Sequence, residues 1–509
     1  MTATPTNRTR RAHRAGAALT ALGLTALAAA PAAAAQAPAP ATAQAAKSPL
    51  KWGACPAGSE APRGTYCTRI KVPLDYAKPN GRQIALTLSS VGDAHAKRTL
   101  VVNPGGPGES GIGTAKLVWS SLPPELGELY NVVSFDPRGV GTSTPVGCGD
   151  AGKLVKHPAP AYTPADAKAE RARLDLSKKV ADKCAAASKT LLPHITTANA
   201  ARDMDRIRAA LGRDKLDYLG YSYGSRLGAT YATLFPQRTG RMVLDSIVDP
   251  GLTGYRTAYE QNTAMQKRAR QFFAWTAKYD STYHLGKTAS KVGAAWEDAR
   301  KRLRAKPAGG RAGIAELDDL LASVMYTDLQ WGDLASAVAG YRRGDTGALL
   351  SAVNQLADSP AGYVNAAQLA YNCVDDAWPR DWRTWRKDTV ASARKAPLFA
   401  WLNTWYSAPC AFWKAPTAKP VKIGATGAKK LPPILLLQAA DDPATPLSGA
   451  RRMRQALAGS RLVVAGGGNH GQFLFDANPC MDRHATRYLS TGKLPAKDAT
   501  CKASPAPTP

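Results

Sequence analysis

Nine residues near the middle of the chain, Asp217-Tyr218-Leu219-Gly220-Tyr221-Ser222-Tyr223-Gly224-Ser225, constrain it more than any other stretch. Apolar residues ahead of it (Leu216, Tyr218) read as a buried strand. Those after it (Leu227, Ala229, Tyr231, Leu234) recur at helical spacing. A strand that becomes a helix within so few residues must turn tightly. Gly220 and Gly224 remove the side chains that would collide there. Ser222, between them, is left on a strained turn beyond the end of a sheet with its hydroxyl presented. The plainer reading is a glycine-rich turn that contains a serine; the position between strand and helix favours a nucleophile.

The elements around this turn alternate. Apolar and polar residues alternate over 68–76 and 83–91, with Pro79-Asn80-Gly81 between them, which reads as an antiparallel hairpin at a sheet edge. Short buried strands are expected at 99–103, 131–136 and 241–248, and a helix at 196–211 that stops at Gly212. This pattern implies an α/β fold: a mostly parallel sheet with helices on both faces. From 251 to 396 helical segments follow one another without a strong strand, which reads as an inserted helical cap. Strand signals return at 433–438 and 461–465. The core is therefore expected in two pieces, 51–250 and 397–509, with no internal repeat.

A serine hydroxyl is a poor nucleophile unless a base takes its proton. The chain has seven histidines. His470, in Gly466-Gly467-Gly468-Asn469-His470-Gly471, directly follows the strand at 461–465, where a last-strand loop would present a base. His484 lies in a helix-like run and reads as structural; His95, His157, His194 and His284 lie in loops or amphipathic settings. The orienting acid is expected after the preceding strand, where Asp441-Asp442-Pro443-Ala444-Thr445-Pro446 stands. Asp442 is preferred to Asp441, and Asp249, past an earlier strand, ranks third. Ser222, Asp442 and His470 then fall in the chain order of the α/β-hydrolase fold. The glycine-rich loop Asn103-Pro104-Gly105-Gly106-Pro107-Gly108 leaves the strand at 99–103, and the backbone N–H groups of Gly106 and Tyr223 are the expected oxyanion hole. A phosphate-binding loop is the rival for this stretch, but no Gly-Lys-Ser/Thr follows it. No cofactor and no metal site is expected.

Residues 1–35 combine four arginines, an alanine/leucine run and small residues near Ala35, the pattern of a secretory signal peptide; a membrane anchor is the alternative. Residues 36–50, rich in Ala, Pro and Gln, read as a disordered leader or propeptide. All eight cysteines follow the signal and no Cys-x-x-Cys occurs, so disulfides are expected. Pairing of sequence neighbours gives Cys55–Cys67, Cys148–Cys184, Cys373–Cys410 and Cys480–Cys501. Net charge is +29, of which the signal contributes +4. The basic residues are scattered without an aromatic-interleaved stripe, so a nucleic-acid partner is not expected; adhesion to an anionic cell wall fits the charge as well as solubility does. The expected product is a secreted, extracellular monomer with no transmembrane span.

The motifs together resemble the secreted bacterial tripeptidyl aminopeptidases, serine peptidases of the S33 type with a TAP-like C-terminal region. The resemblance rests on 103–108, Asp-Pro-Arg-Gly-Val-Gly at 136–141, and 201–212. It continues through 219–228, 235–245, Asp-Pro-Ala-Thr-Pro at 442–446 and Asn-Pro-Cys at 478–480, so it spans nearly all of the mature chain. It implies the same triad, export, and release of short peptides, often three residues, from free N-termini. The chain departs from the family pattern at Glu109, Ser246 and Asp441.

Counting residues from a free N-terminus requires a carboxylate for the substrate ammonium. The candidates are Glu109 on the oxyanion loop and the cap pair Asp375 and Asp376, which follow Cys373. Asp375 is preferred within the pair, because the family shows an acid there. An esterase or lipase, or a prolyl aminopeptidase-like hydrolase, on the same fold is the alternative enzyme, and a non-catalytic wall-binding protein is the reading from another class.

Overall fold

The computed structural model describes residues 50–509 apart from 60, 253, 358–364 and 428–429. The expected signal peptide and nearly all of the leader lie outside the described residues. Among the described residues nine strands form one sheet: β1 Tyr66–Pro73, β2 Gln83–Val91, β3 Arg98–Asn103, β4 Tyr130–Phe135, β5 Leu216–Tyr221, β6 Thr239–Asp245, β7 Ile434–Ala439, β8 Arg461–Ala465 and β9 Ala499–Cys501. Their spatial order is β1-β2-β4-β3-β5-β6-β7-β8-β9. The hairpin β1–β2 is antiparallel, with Tyr66 opposite Ser90 and Pro73 opposite Gln83, and β2 also runs antiparallel to β4. Every pairing from β4 to β9 is parallel.

The strand residues divide by parity between two cores, as a period of two requires. Val101, Val133, Met242, Leu244 and Leu436 join one core together with the helices Thr197–Ala210, Tyr223–Leu234 and Leu447–Ala456. Leu100, Val102, Val132, Val243, Leu435 and Leu437 join the other, under the helices Thr114–Ser121 and Pro479–Thr491. A sheet covered on both faces explains the near-continuous apolar runs of its central strands.

Between β6 and β7 helices follow one another, among them Gly254–Lys278, Ala289–Ala305, Ile314–Val324, Trp331–Arg342 and Ala366–Asp375. Phe272, Trp296, Leu303, Leu321, Met325 and Trp331 form a separate core for them. Helix Ala400–Ser407 and the short turn Ala408–Phe412 carry this helical stretch beyond residue 396, and Phe399 packs into its core. Helix Ala167–Ser188 and β9 are additions to the expected elements; the helix is rich in charged residues and β9 is three residues long, so neither has strong periodicity.

The eight cysteines stand in four bonded pairs, 55–67, 148–184, 373–410 and 480–501. His484 approaches the last of these, but both sulfurs there are joined to each other. No helix among the described residues is long and apolar enough to cross a membrane.

Two of the sequence motifs meet in a buried ion pair. Arg138, fully buried, donates to Asp203 at 2.6 and 2.7 Å and to the carbonyls of Pro73, Leu74 and His194. Asp136 accepts from Ser110 Oγ at 2.7 Å, Gly111 N at 3.0 Å and Thr142 N at 2.8 Å, which anchors the far end of the glycine-rich loop.

Candidate active site

Ser222 is the single residue between β5 and the helix Tyr223–Leu234. Its φ of 55° and ψ of −123° place it where a side chain is strained, at a cost of roughly 1–3 kcal/mol. The surrounding structure holds it there. Ser222 N donates to Asp245 O at 2.9 Å, while Ser225 N and Oγ donate to Ser222 O at 2.8 and 2.6 Å. A Cβ at Gly220 would fall 2.5 Å from Gly224 O, and one at Gly224 2.9 Å from Asn103 O, so both flanking glycines are required by contact as well as by the turn.

Asp442 is fully buried on the loop after β7. Oδ1 accepts from Ala444 N at 2.9 Å and Thr445 N at 2.8 Å, and Oδ2 from Thr445 Oγ1 at 2.8 Å and Gln438 Nε2 at 3.2 Å. His470 Nδ1 lies 3.0 and 2.9 Å from its two oxygens. Asp441 faces the other way, to Lys267 and Gln271, and Asp249 is held by Arg452. Geometry therefore singles out Asp442 among the three acids. Burial pulls the His470 pKa down, but the charge and hydrogen bond of Asp442, with a further contribution from Asp245, outweigh it and leave the imidazole above its ordinary value.

Three features of this histidine loop escape sequence reasoning. His470 N donates to Tyr326 O at 2.8 Å, and the Tyr326 ring stands edge-on to the imidazole with centroids 5.3 Å apart, so the helical stretch between β6 and β7 helps to seat this histidine. Gly471 N donates to Ser246 Oγ at 2.7 Å. Gln472 N and Phe473 N donate to the fully buried Asp245 carboxylate at 3.0 and 2.8 Å. Asp245 thus grips the serine turn through its carbonyl and the histidine loop through its side chain. Burial raises its pKa to about 7 against these bonds. The departure from the family pattern at Ser246 was the one sequence signal near this arrangement.

Gly105 and Gly106 take φ of 113° and 102°. A Cβ at Gly105 would stand 2.9 Å from Ser222 Cβ and 2.8 Å from Tyr221 O, so the bare backbone presses directly on the serine turn. The N–H of Gly106 meets no protein acceptor, and Tyr223 N heads its helix, where N–H groups lack intrahelical partners. Ser222 Oγ makes no hydrogen bond to His470 in this structure; such links commonly tighten once substrate is bound.

Ser222, Gly106, Tyr223 and Tyr326 open onto a cavity of about 560 Å³ between sheet and cap. Asp375 and Asp376 lie on its wall, whereas Glu109 is exposed, near enough to the wall residues Tyr326 and Tyr406 for its charge to act on both, with partial desolvation raising its carboxyl. Asp375 accepts from Thr197 N at 2.9 Å and Thr197 Oγ1 at 2.5 Å, and burial raises its pKa to about 6. Asp376 pairs with Arg226 at 3.3 Å and accepts from Gly254 N at 2.9 Å. Both cap acids therefore already serve the protein, one at the head of helix Thr197–Ala210 and one at the head of helix Gly254–Lys278.

A serine on a strained strand-to-helix turn, joined through Asp245 to the loop of a histidine seated on a buried aspartate, is the equipment of a serine hydrolase. The chain belongs to the α/β-hydrolase fold family, whose model matches residues 98–477, and within it to the family of the tripeptidyl aminopeptidases. The tripeptidyl aminopeptidase of Streptomyces lividans is 39% identical over 487 residues, covering 92% of this chain and 89% of that protein. Serine protease Hip1 of Mycobacterium tuberculosis is 34% identical over 484 residues, 89% of this chain and 91% of its own. Carboxylesterase B of Mycobacterium tuberculosis is 31% identical over 461 residues, 86% of each.

Proposed function

We propose that this protein is an exported serine exopeptidase that releases short peptides, three residues in the main, from free N-termini. The observation that carries the reading is Ser222 at the foot of a cavity under the cap, its turn joined through Asp245 to the loop of the His470–Asp442 pair, in a chain 39% identical to a tripeptidyl aminopeptidase. Ser222 attacks the scissile carbonyl while His470 takes the hydroxyl proton. Asp442 keeps the proton of neutral His470 on Nδ1, leaves Nε2 free as the base, and stabilises the imidazolium that forms. The N–H groups of Gly106 and Tyr223 receive the oxyanion. His470 then protonates the departing amine, and water repeats the cycle on the acyl-enzyme. The cap counts residues by closing the acyl side of the cavity and offering acids to the substrate ammonium.

Export is supported by the arginine-led, alanine-rich N-terminus and by four disulfides. Action as a monomer, and retention at an anionic wall by the net positive charge, complete the proposal.

The likeness to a carboxylesterase favours esterase action as the second reading. One assay separates the two: p-nitroanilides of free-amine tripeptides, their N-acetyl forms and short-chain p-nitrophenyl esters are compared at matched concentration. Preference for the free-amine tripeptide supports the exopeptidase. Turnover of the esters with none of the anilides refutes it.

A further inference from the structure

Five carboxylates stand on the cavity wall among the described residues: Asp249, Glu260, Asp319, Asp375 and Asp376. Four of them are committed. Arg452 holds both Asp249 and Glu260, and Asp249 also accepts from Gly251 N at 2.8 Å. Asp375 and Asp376 have the Thr197, Arg226 and Gly254 partners described above.

Asp319 differs. Its Oδ1 accepts from the Tyr162 hydroxyl at 2.5 Å, but its Oδ2 is buried and meets no donor. Arg173 shares this part of the wall, with its guanidinium 4.8 Å from the Tyr162 ring centroid and donating to Pro160 O; it forms no ion pair with Asp319. Burial, with the nearby charges of Asp318 and Glu316, raises the Asp319 pKa to about 7. A buried carboxylate oxygen without a donor is costly, and native structures rarely leave one without a reason. A cation arriving through the cavity would satisfy it.

The position of Asp319 also sets a length. Asp319, Ala322, Ser323 and Tyr326 all line the cavity, at i, i+3, i+4 and i+7, so they form one stripe along helix Ile314–Val324 and the turn after it. The far end of the stripe is Tyr326, whose carbonyl and ring seat His470. Seven residues at a rise of about 1.5 Å span about 10 Å. Three extended residues, at about 3.3–3.6 Å each, span the same distance.

We propose that Asp319 receives the α-ammonium of the substrate, and that the stripe from Asp319 to Tyr326 is the ruler that fixes the released fragment at three residues. This rests on the aminopeptidase reading. It replaces Glu109, Asp375 and Asp376 as the amine acceptor, since the first is exposed to solvent and the other two are engaged.

The test measures kcat/KM for free and N-acetylated di-, tri- and tetra-alanyl p-nitroanilides with wild type, Asp319→Asn and Asp319→Glu. In the wild type the free tripeptide is preferred. Asp319→Asn should shrink the free-to-acetyl ratio at least tenfold, mostly through KM, while Asp319→Glu, which projects one methylene further, keeps the ratio and shifts preference toward the dipeptide. If the wild type discriminates and Asp319→Asn retains its full ratio, the ruler is wrong and the aminopeptidase reading stands. If the wild type cuts free and acetylated substrates alike, that reading falls and takes the ruler with it. Should Asp319→Asn fail to fold, Asp319→Glu decides: an unchanged length preference overturns the proposal.

Discussion

Replacing Asp245 by Asn should make the protein less stable in acid and more stable in mild base, relative to wild type. Asp245 is fully buried, and its oxygens accept from Gln472 N, Phe473 N and Ser246 Oγ. Asn keeps the shape but turns one acceptor into a donor. One of the loop N–H groups then loses its partner, at a cost of about 1–3 kcal/mol. Against this stands the burial that raises the Asp245 pKa from 3.8 to about 7. A folded-state pKa above the unfolded one means that the folded protein holds its proton longer. The stability this confers is full below pH 3.8 and is lost as pH rises towards 7. At about 1.4 kcal/mol per unit, wild type should lose up to about 3 kcal/mol between pH 5 and pH 8 that the Asn variant does not lose.

For a chain of this length the unfolding entropy is roughly 1 kcal/mol/K, so the gap between the two melting temperatures should swing by about 3 °C over that range. Differential scanning calorimetry of both proteins at pH 5 and pH 8 measures it. A gap that stays constant to within half a degree would show that Asp245 is not a buried, raised carboxyl, and the account of how it joins the serine turn to the histidine loop would fail with it.

Ser222→Ala and His470→Ala should each lower kcat by roughly 10^4 or more with circular dichroism unchanged; a folded Ser222→Ala protein with near wild-type turnover would remove the mechanism. Because His470 must be neutral to act as base and its pKa is raised, the acid limb of kcat/KM should have its midpoint above 6.5; Asp245→Asn, which removes one of the raising charges, should move that limb to lower pH. Gly105→Ala should abolish turnover or folding, since the added methyl would stand 2.9 Å from Ser222 Cβ at a φ of 113°; a variant with full activity would show that the loop does not press on the serine turn.

The parts of this molecule that were legible in its sequence share a property: each is set by neighbours in the chain. The three catalytic candidates sit where parallel strands end, and a strand buried on both faces announces itself as a short apolar run with a glycine or proline after it. The pairing of the cysteines was legible for the same reason, as each partner lies within 12 to 37 residues. The choice between Asp441 and Asp442 was not legible in the same sense. Adjacent loop residues point opposite ways, and what decides between them is Lys267 and Gln271 on a cap helix more than 160 residues earlier.

The same limit hides from the sequence that the acids of the cap already have partners within the protein. Asp375 and Asp376 look free in sequence, since nothing beside them is basic. Their partners, Thr197, Arg226 and Gly254, lie 122 to 178 residues away: Thr197 and Gly254 head helices whose bare N–H groups need acceptors, and Arg226 brings its guanidinium. Asp319 looks no different from them in sequence, being one of three acids at 316, 318 and 319. Glu316 accepts from Ala159 N and Gly313 N, and Asp318 is held by Arg300, which leaves Asp319, on the cavity wall, with a buried and unmet oxygen. Which acid is available to a substrate is thus decided by subtraction over the whole fold. The tyrosine seven residues on, seated against His470, then ties that acid to the chemistry at a fixed distance.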